Sequence, residues 1–234
     1  VWRVMTTNID KVKILVVGDS GVGKTSLVHL ISHKIPISNP SWTIGCSVEV
    51  KLHDYSEGTP QEKTYFVELW DIGGCKSHQN TRPVFYQPFN GIILVHDLTN
   101  RKSHENLRQW LAEIFNKHGD QGKGTLEDFD PEQVVGCTQV PILSVGTKLD
   151  QYNPPRGTSN RFSFLADEWG ADEMQVDTLN KKSLAPGSSS AVKLDKFFNK
   201  VIERRYYAGN SNISHAFNME RRRVNPSYKI HHAD

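Results

Sequence analysis

Hydrophobic and polar positions alternate along the chain in blocks that change period. Val12-Lys13-Ile14-Leu15-Val16-Val17 is an apolar run of strand length, and Ser26-Leu27-Val28-His29-Leu30-Ile31 reads as a helix beyond a glycine-rich turn. Ser47-Val48-Glu49-Val50-Lys51-Leu52-His53 alternates as a half-buried strand does, turn residues follow at 56–62, and Tyr65-Phe66-Val67-Glu68-Leu69-Trp70 returns as its hairpin partner. Gly91-Ile92-Ile93-Leu94-Val95 is the continuous apolar run of a strand inside a parallel sheet. Ser103 is placed to cap a helix carrying Leu107, Trp110, Leu111, Ile114 and Phe115 on one face. Pro141 to Gly146 predicts another core strand, Phe162 to Trp169 a short helix, and Met174-Gln175-Val176 a last strand. Ala191 to Tyr207 predicts a closing helix, with Val192, Leu194, Phe197, Phe198, Val201 and Ile202 mostly on one side. Strands alternating with helices give an α/β fold: a mostly parallel sheet of about six strands, one antiparallel edge hairpin strand, and helices on both faces.

The organisation follows from where this periodicity starts and stops. Residues 1–9 are expected to be a flexible N-terminus, 10–207 one domain, and 208–234 a polar tail without apolar periodicity. Within the domain, the glycine- and acid-rich stretch 116–139 reads as a long surface loop. A domain of that size buries ~70% of its extended-chain surface, so it needs no disulfide or structural metal. The three cysteines, Cys46, Cys75 and Cys137, are odd in number and unpaired in spacing, which suits a reducing compartment. A net charge of +2 gives no reason to expect nucleic-acid binding. No apolar run approaches the eighteen or so residues of a membrane span, and Val1-Trp2-Arg3-Val4-Met5 is too short for a secretory signal. Ten histidines offer no paired spacing with cysteine and no H-E-x-x-H, so a structural or catalytic zinc is not expected.

Chemistry enters at Gly18-Asp19-Ser20-Gly21-Val22-Gly23-Lys24-Thr25, a G-x-x-x-x-G-K-[ST] sequence set between a buried strand and a helix. Glycines let successive backbone N–H groups turn inward around phosphate oxygens, and the helix adds its positive end. Lys24 is the candidate bridge between β- and γ-phosphates, and the Thr25 hydroxyl a candidate Mg²⁺ ligand. Asp71-Ile72-Gly73-Gly74 follows the second hairpin strand as a D-x-x-G element, where Asp71 can hold Mg²⁺ through water and the Gly74 amide can meet a γ-phosphate. Thr43, between the first helix and the next strand, offers a second hydroxyl to the same ion. Thr147-Lys148-Leu149-Asp150 chooses the base, because a carboxylate accepts from the N1–H and 2-amino groups of guanine, a donor pair adenine lacks. The aliphatic stem of Lys148 would cover the purine face. All of these follow strands, so a doubly wound sheet gathers them on its carboxyl rim.

With these motifs the chain resembles the Ras superfamily of small GTPases over about residues 10 to 207. The resemblance is carried by Gly-Asp-Ser-Gly-Val-Gly-Lys-Thr-Ser-Leu-Val-His-Leu at 18–30, Asn-Pro-Ser-Trp-Thr-Ile-Gly-Cys-Ser-Val at 39–48, Val-His-Asp-Leu-Thr-Asn at 95–100 and Gly-Thr-Lys-Leu-Asp-Gln at 146–151. It implies the P-loop small GTPase fold, GTP and GDP as ligands with Mg²⁺, and two switch segments around Thr43 and at 71–86. The implied nucleotide contacts are Ser20, Gly21, Val22, Gly23, Lys24, Thr25, Ser26, Thr43, Gly74, Thr147, Lys148 and Asp150, with Thr178 and Leu179 at the position of the family's third base-binding element. The implied metal set is Thr25, Thr43 and, through water, Asp71; Thr43, Gly74 and the residue at position 75 would carry hydrolysis. Regulatory or effector proteins would read the switches, at an aromatic patch formed by Trp42, Trp70 and Phe85. Trp70 and Phe85 are equally readable as core.

Four departures from the family qualify what it implies. Cys75 stands where the water-orienting glutamine is usual, and a thiol is too short and too weak a donor for that task, so slow intrinsic hydrolysis is expected. Cys75 also reads simply as a small switch residue. Pro36 occupies the place of the aromatic that covers guanine in many relatives, and Thr147 that of an asparagine, so faster nucleotide exchange is expected. The S-A-K element is not legible at 178–180. The last cysteine is Cys137, so no prenyl anchor and a cytoplasmic location are expected. Two functions stay open on these residues: a GTP-hydrolysing switch, and a GTP-binding adaptor or dimerising module with little turnover, acting on other small GTPases or their chaperones.

Overall fold

A computed structural model describes residues 10–115, 140–153 and 169–208 of the chain. The expected N-terminus at 1–9, the loop at 116–139, the helix at 162–169 apart from its last residue, and the tail from 209 lie outside the described residues.

The strands are β1 (Lys11–Val17), β2 (Cys46–Tyr55), β3 (Lys63–Ile72), β4 (Gly91–Asp97), β5 (Ile142–Thr147) and β6 (Asp172–Gln175). They form one sheet in the order β2-β3-β1-β4-β5-β6. Only β2 and β3 pair antiparallel, with Cys46 opposite Ile72 and Tyr55 opposite Lys63, so the hairpin sits at the sheet edge as predicted. The remaining pairs are parallel. Among the described residues the α-helices are α1 (Lys24–His33), α2 (Arg101–Glu105), α3 (Leu107–Phe115) and α4 (Ser189–Tyr206).

The pleat of β1 divides the core in two. Val12, Ile14 and Val16 face a cluster with Leu27, Leu30 and Ile31 of α1 and Leu194, Phe197, Phe198, Val201 and Ile202 of α4. Leu15 and Val17 face the other cluster, with Leu107, Trp110, Leu111 and Ile114 of α3. Successive side chains point to opposite faces, so an unbroken apolar run is what a strand covered on both faces requires. β4 is buried along its whole length for the same reason. At Gly91 a Cβ would lie 2.7 Å from Val201 Cγ2, so the missing side chain is what lets α4 settle onto the sheet. Far from the carboxyl rim, the hairpin is fastened to α4 by tyrosines: the Tyr65 and Tyr207 hydroxyls lie 2.9 Å apart, and Tyr55 stacks on Tyr207 with ring centroids at 5.3 Å.

Two sequence expectations need correction. The helical region after β4 begins at Arg101, not beyond Ser103, and Asn100 caps it by accepting from the Lys102 N–H at 3.2 Å. Ser103 is instead buried inside α2, its hydroxyl accepting from the Asp97 N–H at 3.0 Å. A break at Asn106 then separates α2 from α3.

Phe197 is fully buried and Val192, on the same helix, is 58% exposed. Phe197→Ala is expected to cost about 3–5 kcal/mol in urea unfolding, and Val192→Ala no more than about 0.5 kcal/mol. Equal costs would mean that α4 is not seated as described.

Candidate nucleotide-binding site

Three connections leave the carboxyl ends of β1, β3 and β5 and meet over one cleft of about 330 Å³. Ser20, Gly21, Gly23, Lys24, Thr25 and Ser26 line it from the first, Gly74 and Cys75 from the second, and Lys148, Asp150 and Gln151 from the third. Thr43 joins from the segment before β2, and Thr178 and Leu179 from the turn after β6. A volume near the lower end of the usual small-molecule range suits an elongated ligand in an open groove. β1 lies between β3 and β4, the place where an open α/β sheet reverses its winding and leaves a crevice.

Close backbone approach shapes the loop. Gly18 has φ +148°, and a Cβ there would fall 2.1 Å from the Val95 carbonyl oxygen. A Cβ on Gly74 would fall 2.5 Å from the Ser20 nitrogen, so the segment after β3 rests directly on the phosphate loop. The Lys24 ammonium, 6% exposed, donates to the Gly18 and Asp19 carbonyls, each at 2.8 Å. Burial lowers its pKa to about 8, against the pull of Asp71 and Asp19.

The densest polar contact joins three separate segments. Asp71 Oδ2 accepts from the Thr25 hydroxyl at 2.6 Å and from the Thr43 hydroxyl at 3.1 Å, and the two hydroxyls lie 3.0 Å apart. Asp71 is 1% exposed, and its Oδ1 has no hydrogen-bond partner among the described residues. Burial raises the Asp71 carboxyl above its ordinary value, although both threonines and Lys24 pull it down. A buried carboxylate with a spare oxygen beside two hydroxyls is a hard-oxygen donor set, and it fits Mg²⁺ with water completing the shell.

On the base side, Lys148 adopts φ +56° and pairs with Asp97 at the end of β4, Nζ to Oδ2 at 2.5 Å. Burial alone would raise the Asp97 carboxyl, but Lys148 and the Thr99 N–H and hydroxyl hold it below its ordinary value. Asp97 was not among the residues the sequence singled out for the site. Asp150 is exposed at the mouth of the cleft.

Two implied contact residues do not line the cleft. Val22 is buried. Thr147 is fully buried as well, and its hydroxyl is occupied by the Val22 carbonyl and by the His96 carbonyl at 3.0 Å. Thr147 thus pins the phosphate loop to β4 from beneath. Conversely, Pro40, Ser41 and Gln151 line the cleft without having been singled out, and no residue-type signal marks them. Pro36 is not among the lining residues. The Cys75 thiol lies 3.0 Å from the Ser77 hydroxyl, which lowers its pKa.

The three aromatic candidates separate. Trp42 is 84% exposed and lines the cleft mouth. Trp70 and Phe85 are half-buried against the α3-side core, and the Lys13 ammonium sits 3.7 Å from the Trp70 ring centroid. His96 is buried edge-on to His104, and burial lowers its pKa to about 3, so it is uncharged at neutral pH. No cluster of three His, Cys, Asp or Glu side chains suited to a metal exists among the described residues. None of the described helices is long and apolar enough to cross a membrane.

Asp97→Asn is expected to lower stability at pH 7 by about 1–2 kcal/mol, the worth of a charged hydrogen bond discounted for the part-exposed lysine. The folded pKa of Asp97 lies below the ordinary 3.8. Its stabilisation is therefore complete above that value and fades as pH falls through the lower folded value. Urea unfolding of both proteins at pH 7 and pH 3 should show the gap narrowing; a constant gap contradicts the pairing.

Residues 13–124 match the family described as Roc, the Ras of Complex domain of DAPkinase. Rab-like protein 3 from Mus musculus is 48% identical over 97% of this chain and 99% of its own length. The Xenopus tropicalis Rab-like protein 3 is 49% identical with the same coverage. The small GTPase LIP1 of Arabidopsis thaliana is 35% identical over 85% of this chain and 64% of its own length. An identity of this level along nearly the whole of two chains, with the phosphate loop and Asp150 on one rim, leaves one family: the chain belongs to the Ras superfamily of small GTP-binding proteins, with the Rab-like protein 3 sequences as relatives.

Proposed function

We propose that this protein is a Mg²⁺-dependent guanine-nucleotide switch whose own hydrolysis of GTP is slow. The observation that carries the reading is the convergence on Asp71 of the Thr25 and Thr43 hydroxyls, with Asp71 Oδ1 left over. Thr25 and Thr43 would hold the ion directly and Asp71 through water. Bound there, Mg²⁺ would neutralise charge on the β- and γ-phosphate oxygens. Ser20 to Ser26 cradle the polyphosphate, Lys24 bridges its last two phosphates, and the Gly74 amide meets the γ-phosphate. Asp150 selects guanine, the Lys148 stem covers its face, and Thr178 and Leu179 close the base from the other side. The Asp97 carboxylate holds Lys148 in place for that role.

Because Thr43 and Gly74 stand on segments outside the helices, an ordered arrangement of both would depend on the nucleotide, as in switches that relax when γ-phosphate is lost. The exposed Trp42 beside Thr43 would then be presented to regulatory proteins in one state and not the other.

Cys75 favours a second reading, a GTP-binding adaptor that turns over little or nothing. The thiol lines the cleft but offers only a weak donor on a short side chain. In either reading a partner could supply the missing group, which is worth roughly 10³–10⁵ in rate where arginines do so.

Protein purified with excess Mg²⁺ is expected to retain GDP or GTP, and a preparation without either would end the proposal. Asp150→Asn should lose about 3 kcal/mol or more of GTP affinity, at ~1.5–3 kcal/mol for each charge-assisted bond, and gain preference for xanthine nucleotide. Single-turnover assays divide the two readings: phosphate release over minutes to hours marks the switch, and none over a day marks the adaptor. Cys75→Gln is expected to accelerate release if position 75 limits hydrolysis.

A further inference from the structure

Between β3 and β4 the chain passes through an exposed stretch, residues 76–81, before Arg82 turns inward. Arg82 is 3% exposed and is the first buried side chain after Gly73. Its guanidinium carbon lies 4.2 Å from the Trp110 ring centroid, and its Nε lies 3.3 Å from Glu113 Oε1. The Tyr86 hydroxyl donates to the same Glu113 oxygen. Arg82 Nε and Nη1 are both buried with no hydrogen-bond partner among the described residues, so Glu113 meets the guanidinium as an ion pair and not as a hydrogen bond. A buried guanidinium with so few partners has little choice of place, and the indole face and the Glu113 carboxylate set it.

The other side of the same indole reaches the phosphate loop. Trp110 Nε1 donates to Asp19 Oδ1 at 3.0 Å, and Asn106 Nδ2 donates to Asp19 Oδ2 at 2.7 Å. The backbone of Asp19 and Ser20 is the surface on which Gly74 rests. Gly74, the loop, Trp110 and Arg82 therefore close a ring, with residues 76–81 as its one exposed side.

We propose that Arg82 is a positioning residue: stacked on Trp110 and paired with Glu113, it fixes the segment bearing Gly74 and Cys75 against the phosphate loop, through the Trp110–Asp19 bond. It touches no nucleotide. This rests on the reading of the cleft as a guanine-nucleotide site, in which Gly74 serves the γ-phosphate. A displaced segment then weakens the triphosphate and leaves the diphosphate, held by residues 21–25, largely unaffected. Opposed cations disfavour a simpler role, since Arg82 adds to the forces that lower the Lys24 pKa and so does not assist that ammonium directly.

The test measures affinities for GTPγS and GDP in the full-length chain with Mg²⁺. Arg82→Ala is expected to lower the GTPγS-to-GDP affinity ratio by about tenfold, within the usual span of intramolecular coupling. Arg82→Lys should recover only part, because an ammonium lacks the planar face that stacks on indole. Asp19→Ala supplies a double-mutant cycle in GTPγS affinity, and the double variant should lose clearly less than the two single losses combined. Equal losses for both nucleotides, or additive losses in the cycle, overturn the proposal. If Arg82→Ala does not fold, Glu113→Gln replaces it: the isostere keeps the Tyr86 acceptor and removes the charge, and a ratio unchanged from wild type overturns the proposal in the same way. Wild-type protein that binds neither nucleotide removes the functional reading itself, whereas normal wild-type binding with unmoved ratios removes this inference alone.

Discussion

A single carboxylate out of reach of solvent, Asp71, constrains the arrangement of everything on the carboxyl rim. A buried charge must be met by donors or by a cation, or it returns to its neutral form. Here it is met by hydroxyls from two places distant in sequence, Thr25 at the start of α1 and Thr43 before β2. The contact thereby ties the first helix, the entry to the edge hairpin and the end of β3 into one unit. Because Asp71 is the penultimate residue of β3, paired in register with Val16 of β1 and Ser47 of β2, it cannot retreat to solvent without unzipping the end of β3. Of its two partners, Thr25 is held in α1, and Thr43 stands on the connection before β2. A fixed acceptor thus meets one donor on a helix and one on a connection.

The same division recurs on the base side. Lys148 occupies a left-handed backbone conformation that a long side chain rarely adopts, and its ion pair with Asp97 holds the ammonium toward β4. Thr147, one residue earlier, spends its hydroxyl on the phosphate loop and on β4. The glycine loop after β1 and the end of β5 are therefore braced against each other through the protein interior. The Thr147 hydroxyl holds the loop although it does not line the cleft.

Much of the fold was legible because its strands are extreme. β1, β4 and β5 are covered on both faces along most of their length, and such strands appear in sequence as mainly apolar stretches, Ile14 to Val17, Ile92 to Val95 and Ile142-Leu143 with Val145. β2 alternates as expected but with its faces reversed: Val48, Val50 and Leu52 are exposed, whereas Glu49 and Lys51 are half-buried and His53 is buried, because α1 and α4 cover the face that carries the polar positions. The start of α2 was misplaced because Asn100 and Ser103 are both good caps by residue type. Only the packing of Ser103 against the Asp97 amide decides between them. The cleft was legible where its chemistry needs a fixed order of neighbours, as in residues 18–25. It was not legible where residues of no particular type line the wall from connections, as Pro40, Ser41 and Gln151 do.

Sequence alone pointed to the sheet with its edge hairpin, and to residues 18–25, Asp71 and Asp150 as neighbours on one rim. Each of these depends on local backbone freedom or on a side-chain type at a set spacing, and both are written in consecutive residues. Tertiary structure alone decided that Thr147 faces inward, that Asp97 holds Lys148, and that Asp19 is bonded from α3. These are pairings between residues dozens of positions apart, and a polar side chain carries no mark of which distant partner will reach it first. Whether such a group faces ligand or interior is settled by the competition for its hydrogen bonds, which exists only once the strands are side by side.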